Sequence, residues 1–153
     1  MEESKKHARY QRLYDQLEPL MHQSTDPDAR MATIVAVLHH KMEYFFWTGF
    51  YVLRSGELTV KTYQGPLACQ VLRQHTGVCW ASIDQQSTQV VPDVHLFPGH
   101  IACDSRSLSE IAVPVRNPKG EITGVLDVDS DLPASFNAID AGWLEKIVNL
   151  IYS

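Results

Sequence analysis

The sequence predicts an α+β fold, an antiparallel sheet flanked by N- and C-terminal helices. Two observations lead there. Apolar residues recur at helical spacing towards both ends of the chain, and between them lie two pairs of short apolar runs joined by turn-forming residues.

Taken in order, "ARYQRLYDQLEPLM" places Tyr10, Leu13, Tyr14, Leu17 and Met21 on one helical face. In "STDPDARMATIVAVLHHKM", Asp26 suits an N-cap and Pro27 the first helical position, and the apolar centre from Ile34 to Leu38 is expected to be buried. "YFFWTGFYVL" and "LTVKTYQ" flank the turn "RSGE" and read as a hairpin. In "GPLACQVLRQHTGVCWASIDQQ", a strand around Cys69 to Arg73 is followed by a turn at Gly77 and a short helix. "TQVVPDV" reads as a short strand, and "SEIAVPV", "RNPKGE" and "ITGVLDVDS" as a second hairpin. The closing helix, "DAGWLEKIVNLIYS", aligns Trp143, Leu144, Ile147, Val148 and Ile151.

A length of 153 residues is that of one domain, 1–153. A net charge of −5, spread along the chain, argues against nucleic acid or an anionic membrane as the main partner. No long uninterrupted apolar segment is present, and the charged start "MEESKKHARY" has no apolar signal region. The expected location is the cytoplasm. Three cysteines, an odd number, do not form a secreted disulfide framework.

Pro118 suits the second position of the turn in the second hairpin. A two-residue loop there pairs Arg116 with Glu121, Ala112 with Val125 and Glu110 with Asp127. Ile111, Val113 and Val115 then share a core face with Ile122, Gly124 and Leu126, and the opposite face carries Glu110, Asp127 and Asp129. Like charges opposed across strands destabilise a sheet, so a solvated, fraying strand end is the bland interpretation. The nearby loop carrying Cys103 favours a functional one. Clustering raises the proton affinity of at least one acid, which can then donate a proton while ionised neighbours hold an ammonium group.

The thiols Cys69, Cys79 and Cys103 form no CxxC pair. A zinc site built from them with His95 or His100 lacks short ligand spacing. A Cys103–His100 protease pair lacks a substrate-groove signature. Taken singly, Cys69 and Cys79 read as buried small hydrophobes.

Together, "QGPLAC", "GVC", "TQVVPDVHLFPGHIACDS", "SEIAVPV" and "GVLDVDS" resemble the free methionine-(R)-sulfoxide reductases, built on a GAF domain, over roughly residues 30 to 150. The resemblance implies a GAF-like sheet and an enzyme that reduces free methionine sulfoxide, not the oxidised residue within proteins. It implies that Cys103 forms the sulfenic acid and that Cys69 is its disulfide partner. Cys79 is the family's third thiol, to which some accounts give the nucleophilic role. Glu110, Asp127 and Asp129 match the acids that hold the substrate's polar groups, and Trp47 and Tyr51 match aromatics lining the pocket. Trp80 departs from the pattern, which has a small residue after "GVC". Thioredoxin is the implied reductant, and the chemistry needs no metal or organic cofactor. A homodimer is compatible with the sequence, which carries no interface signature. The rival class is a non-catalytic GAF module sensing a small ligand. The three thiols in these contexts argue against it, because a sensor needs none of them.

Overall fold

The computed structural model describes residues 1–100 and 103–153; Ile101 and Ala102 of the "GHIACDS" motif lie outside the described residues. One antiparallel sheet of six strands organises the chain, in the order β3-β2-β1-β6-β5-β4. The strands are β1 (Trp47–Arg54), β2 (Glu57–Gln64), β3 (Val71–Leu72), β4 (Gln89–Val91), β5 (Ser109–Arg116) and β6 (Ile122–Ser130). The helices are α1 (Glu3–Met21), α2 (Pro27–Lys41), α3 (Gly77–Gln85) and α4 (Ala138–Val148).

Both faces of the sheet are covered. On one, Phe50, Ile111, Val113, Val115, Leu126 and Val128 pack against Tyr10, Leu13, Leu17 and Met21 of α1, Ile34, Val35 and Leu38 of α2, and Leu144 and Ile147 of α4. This is the core that the helical spacing predicted. Asp26 caps α2 by accepting from the backbone N–H of Asp28 at 3.0 Å. The closing helix starts earlier than "DAGW", at Ala138, because Asn137 and Asp140 form a capping box. It passes into a 3-10 turn over Asn149–Tyr152, which keeps Ile151 buried. Asp140 also ties the two terminal helices together. It receives Lys6 Nζ at 2.7 Å and the Tyr10 and Tyr44 hydroxyls at 2.6 and 2.5 Å, so a buried carboxylate is fully partnered.

Two expectations need correction. The strand around Cys69 to Arg73 contracts to Val71–Leu72 and leaves Cys69 in a loop. After Gln64 the chain turns through Gly65 and Pro66, and only at Gln70 does it rejoin β2, where its carbonyl accepts from Val60 N–H at 2.9 Å. The second correction is the register of the β5–β6 hairpin. Glu110 faces Asp129, not Asp127; Asp127 faces Ala112, and Val125 faces Pro114. One residue of the shift comes from the turn. Asn117 N–H bonds to Glu121 C=O at 2.9 Å, Gly120 takes a left-handed φ of 81°, and three residues lie between. The other comes from a bulge that leaves Thr123 unpaired between the Arg116–Ile122 and Val115–Gly124 pairs. From the Val115–Gly124 pair onwards the two displacements add to an even number, so those side chains keep their predicted faces, while Ile122, before the bulge, pairs with Arg116 and takes the other face.

Candidate active site

The second face of the sheet builds the site. Alternation along the strands sends Trp47, Gly49 and Tyr51 of β1, Asp129, Asp127 and Val125 of β6, and Glu110 and Ala112 of β5 to this side, in the pairs Trp47–Asp129, Gly49–Asp127, Tyr51–Val125, Glu110–Asp129 and Ala112–Asp127. Helix α3 covers part of this face, with Val78, Cys79 and Trp80 packed against Trp47, Tyr51, Ala112 and Val125. Between them lies a cavity of about 230 Å³. All eight residues singled out from the sequence line it: Trp47, Tyr51, Cys69, Cys79, Cys103, Glu110, Asp127 and Asp129.

Gly49 makes the aromatic wall. A Cβ there would sit 2.5 Å from the outer edge of the Trp47 indole and 2.5 Å from Tyr63 Cβ. The missing side chain lets the indole lie along the sheet, stacked on Tyr51 at 5.8 Å and on Tyr63 at 5.4 Å between centroids. Trp47 Nε1 and Asp127 Oδ1 are buried at this wall and have no hydrogen-bond partner among the described residues. An unpaired buried donor and acceptor on one cavity suit a ligand carrying both kinds of group.

The acids are strongly perturbed. Burial, reinforced by the charges of Asp127 and Asp129, pushes Glu110 well above the usual carboxylate range. Burial and then Asp127 do the same to Asp129, opposed by hydrogen bonds from Glu110 and from the Ser107 hydroxyl. Burial raises Asp127 as well, offset in part by the neighbouring Glu110 carboxyl and Cys79 thiol. Burial thus raises the proton affinity of all three acids, and at this separation they titrate as a cluster and not one by one. His100 Nδ1 lies 4.0 Å from Glu110 Oε1, and burial lowers the proton affinity of this imidazole, so it is a weak source of positive charge.

The thiols divide into two kinds. Cys69 and Cys103 are joined as a disulfide, with Cα atoms 5.6 Å apart. Both sit in loops, Cys103 exposed and Cys69 half-buried, and the Tyr51 hydroxyl donates to the Cys69 carbonyl at 3.0 Å. Cys79 is buried in the first turn of α3. A helix N-terminus favours a thiolate, but burial and the three facing acids outweigh it and push this thiol well above its ordinary value. The zinc set of three cysteines is not assembled, since two are bonded to each other. A smaller donor group exists: Cys79 Sγ and one oxygen each of Glu110 and Asp127 lie within 4.8 Å of one another. Trp80 does not displace Cys79. Successive helical residues diverge by about 100°, and Trp80, buried in the same cluster, also meets His75 with centroids 4.7 Å apart.

Sequence reasoning missed Gly49 and Ser107. Gly49 sits between Trp47 and Tyr51 at a spacing that puts all three on one strand face, which was the available signal. Ser107, one serine among several in a polar loop, carries no such signal.

Comparison with known proteins agrees with this geometry. The GAF-domain family matches residues 26–152. The chain is 43% identical over 147 residues to GAF domain-containing protein A of Dictyostelium discoideum, covering 95% of this chain and 92% of that one. It is 38% identical over 120 residues to free methionine-R-sulfoxide reductase of Escherichia coli K12, covering 78% and 72%. The solved structure of free methionine-R-sulfoxide reductase from Neisseria meningitidis in complex with its substrate superposes with a TM-score of 0.91 at 39% identity, covering 96% of this chain and 88% of that one.

Proposed function

Because the chain belongs to the GAF-domain family, in the branch of the free methionine-R-sulfoxide reductases, we propose that it reduces free methionine-R-sulfoxide to methionine through Cys103 and Cys69. The observation that carries this reading is the convergence of a loop thiol pair, an aromatic wall and a buried acid cluster on one cavity.

A sulfoxide sulfur becomes electrophilic when its oxygen is protonated. Glu110, whose proton affinity burial and the neighbouring acids raise, is the general acid in this reading; help of this kind contributes roughly 10²–10⁴-fold. Cys103 as thiolate attacks the substrate sulfur, the S–O bond breaks, and oxygen is transferred. Methionine leaves reduced and Cys103 is left as sulfenic acid. Cys69 attacks that sulfur, water departs, and the Cys69–Cys103 disulfide forms. A thioredoxin-type dithiol then restores both thiols by exchange. Asp127 and Asp129 hold the substrate ammonium, and the Trp47 face encloses the S-methyl group, favouring the positive charge that develops on sulfur. Cys79, buried and with its proton affinity raised by burial and the facing acids, is a poor thiolate and is not the nucleophile in this reading. The cycle needs a reducing compartment, and we assign the protein to the cytoplasm.

The test is incubation of the reduced protein with separated epimers of free methionine sulfoxide and dithiothreitol, reading methionine release. Release from the R epimer is expected. Binding without release of methionine supports a ligand-sensing GAF module instead, and release from the S epimer alone overturns the substrate assignment.

A further inference from the structure

The two cysteines of the disulfide differ in exposure to solvent. Cys103 is exposed and is followed by exposed Ser105 and Arg106. Cys69 is half-buried, its carbonyl is held by the Tyr51 hydroxyl at 3.0 Å, and the preceding Ala68 packs on the inner aromatic cluster. Thiol–disulfide exchange requires the incoming thiolate to reach one sulfur while the other departs, so access selects the sulfur that is attacked. Resting on the disulfide cycle above, we infer that the external dithiol attacks Cys103 and expels Cys69.

In this step the reductant's thiolate forms a bond to Cys103 Sγ, the Cys69–Cys103 bond breaks, and Cys69 leaves as thiolate and takes a proton. The reductant's second thiolate then attacks its own sulfur in the mixed disulfide. Cys103 is released as thiolate, and the reductant is left oxidised. Cys103 is therefore capped until the reductant departs, and substrate reduction cannot restart before then. The sulfur that attacks substrate and the sulfur that receives the reductant are the same atom, and Cys69 serves only as the internal leaving group.

The experiment begins with protein shown by intact mass to hold the disulfide after one turnover. It is mixed with a thioredoxin whose second active-site cysteine is replaced by serine, and in parallel with 2-mercaptoethanol. Both are quenched early with iodoacetamide under native conditions and mapped by mass spectrometry. The expected result is the mixed disulfide on the Cys103 peptide and the alkyl group on Cys69, with at least a tenfold excess over the reverse for the protein reductant. A predominant adduct on Cys69, or an even split with the protein reductant, overturns the inference while leaving the reductase cycle intact. If turnover produces no Cys69–Cys103 disulfide, the cycle itself fails and the inference falls with it.

Discussion

Glu110 and Asp129 stand directly opposite each other on neighbouring strands, with Asp127 in the next pair on the same face. Opposed acids destabilise a sheet when both are ionised, and burial of Glu110 adds the cost of desolvating its charge. The arrangement is eased because burial and the neighbouring acids raise the proton affinity of Glu110 and Asp129. It also makes the site a net cost to the fold, with a definite dependence on pH.

An acid whose proton affinity is raised on folding contributes stability below the ordinary carboxylate range and loses it as pH rises through the folded-state value. Glu110→Gln is a neutral mimic that removes this loss. The variant is expected to match the parent near pH 4 and to melt higher at about pH 8, by roughly 2–4 °C for each kcal/mol recovered. Thermal unfolding of both proteins at the two pH values is the check. A lower melting temperature for Glu110→Gln at the alkaline value contradicts the assignment of a protonated, strained acid.

The same protons are expected to set the alkaline limit of the proposed activity. In the proposed mechanism the chemical step needs Glu110 protonated, so the single-turnover rate should fall as pH rises through its raised value, while the need for the Cys103 thiolate limits the acid side. Glu110→Gln, which has no proton to give, should lose about 10²–10⁴-fold and flatten the alkaline limb. Retention of an unchanged alkaline limb in that variant would move the general acid to Asp129.

The thiols separate by single turnover. Cys103→Ser should release no methionine. Cys69→Ser should release one methionine for each site and then stop with thioredoxin as reductant. Cys79→Ser should keep its burst, because the parent thiol is buried and held protonated by burial and by the facing acids. A normal burst in Cys103→Ser together with its loss in Cys79→Ser would transfer the nucleophilic role to Cys79.

Gly49 offers a test of the aromatic wall that replaces no titrating group. Gly49→Ala places a methyl group 2.5 Å from the Trp47 indole edge and 2.5 Å from Tyr63 Cβ, so the ring stack must open. Overpacking of this kind costs about 1–3 kcal/mol of stability. With Trp47 tilted from its place, substrate binding should weaken along with it, seen as a raised KM and a shifted tryptophan emission. An unchanged KM with normal stability would show that the wall gives way without affecting the pocket.

Much of this architecture was legible because it rests on periodicity. The helical face of Tyr10, Leu13, Leu17 and Met21, the N-cap at Asp26 and the sidedness of β5 and β6 all follow from local spacing. The pairing of Glu110 was misjudged because a left-handed Gly120 and a bulge at Thr123 leave no periodic trace, and their combined displacement preserves the face. The acid cluster was readable from alternation alone. That the acids, the thiols and Trp47 meet over one cavity depends on the order β1-β6-β5 and on α3 folding across it, which no local pattern encodes. Gly49 offered only its spacing from Trp47 and Tyr51 as a signal, because its importance lies in the ring that crosses it.

Substrate size follows from the same electrostatics. A methionine sulfoxide within a protein has neither a free ammonium nor a free carboxylate. Asp127 Oδ1, buried and without a partner among the described residues, lacks the donor that a free ammonium supplies. A hydrogen bond to a charged group contributes about 1.5–3 kcal/mol, so its loss should cost roughly one to two powers of ten. A peptide bond would also push chain into a cavity of about 230 Å³ bounded by Trp47 and the Cys103 loop. N-acetyl-methionine sulfoxide and oxidised peptides are therefore expected to be turned over at least about tenfold worse than the free amino acid. The comparison needs matched sulfoxide epimers and a kcat/KM for each substrate, measured with the same small dithiol so that reductant docking does not enter. Asp127→Asn should narrow the gap between free and acetylated substrate, because it weakens the interaction that only the free ammonium makes. Equal kcat/KM for the two substrates in the parent protein would remove the ammonium-binding role from Asp127 and Asp129, whatever the thiols do.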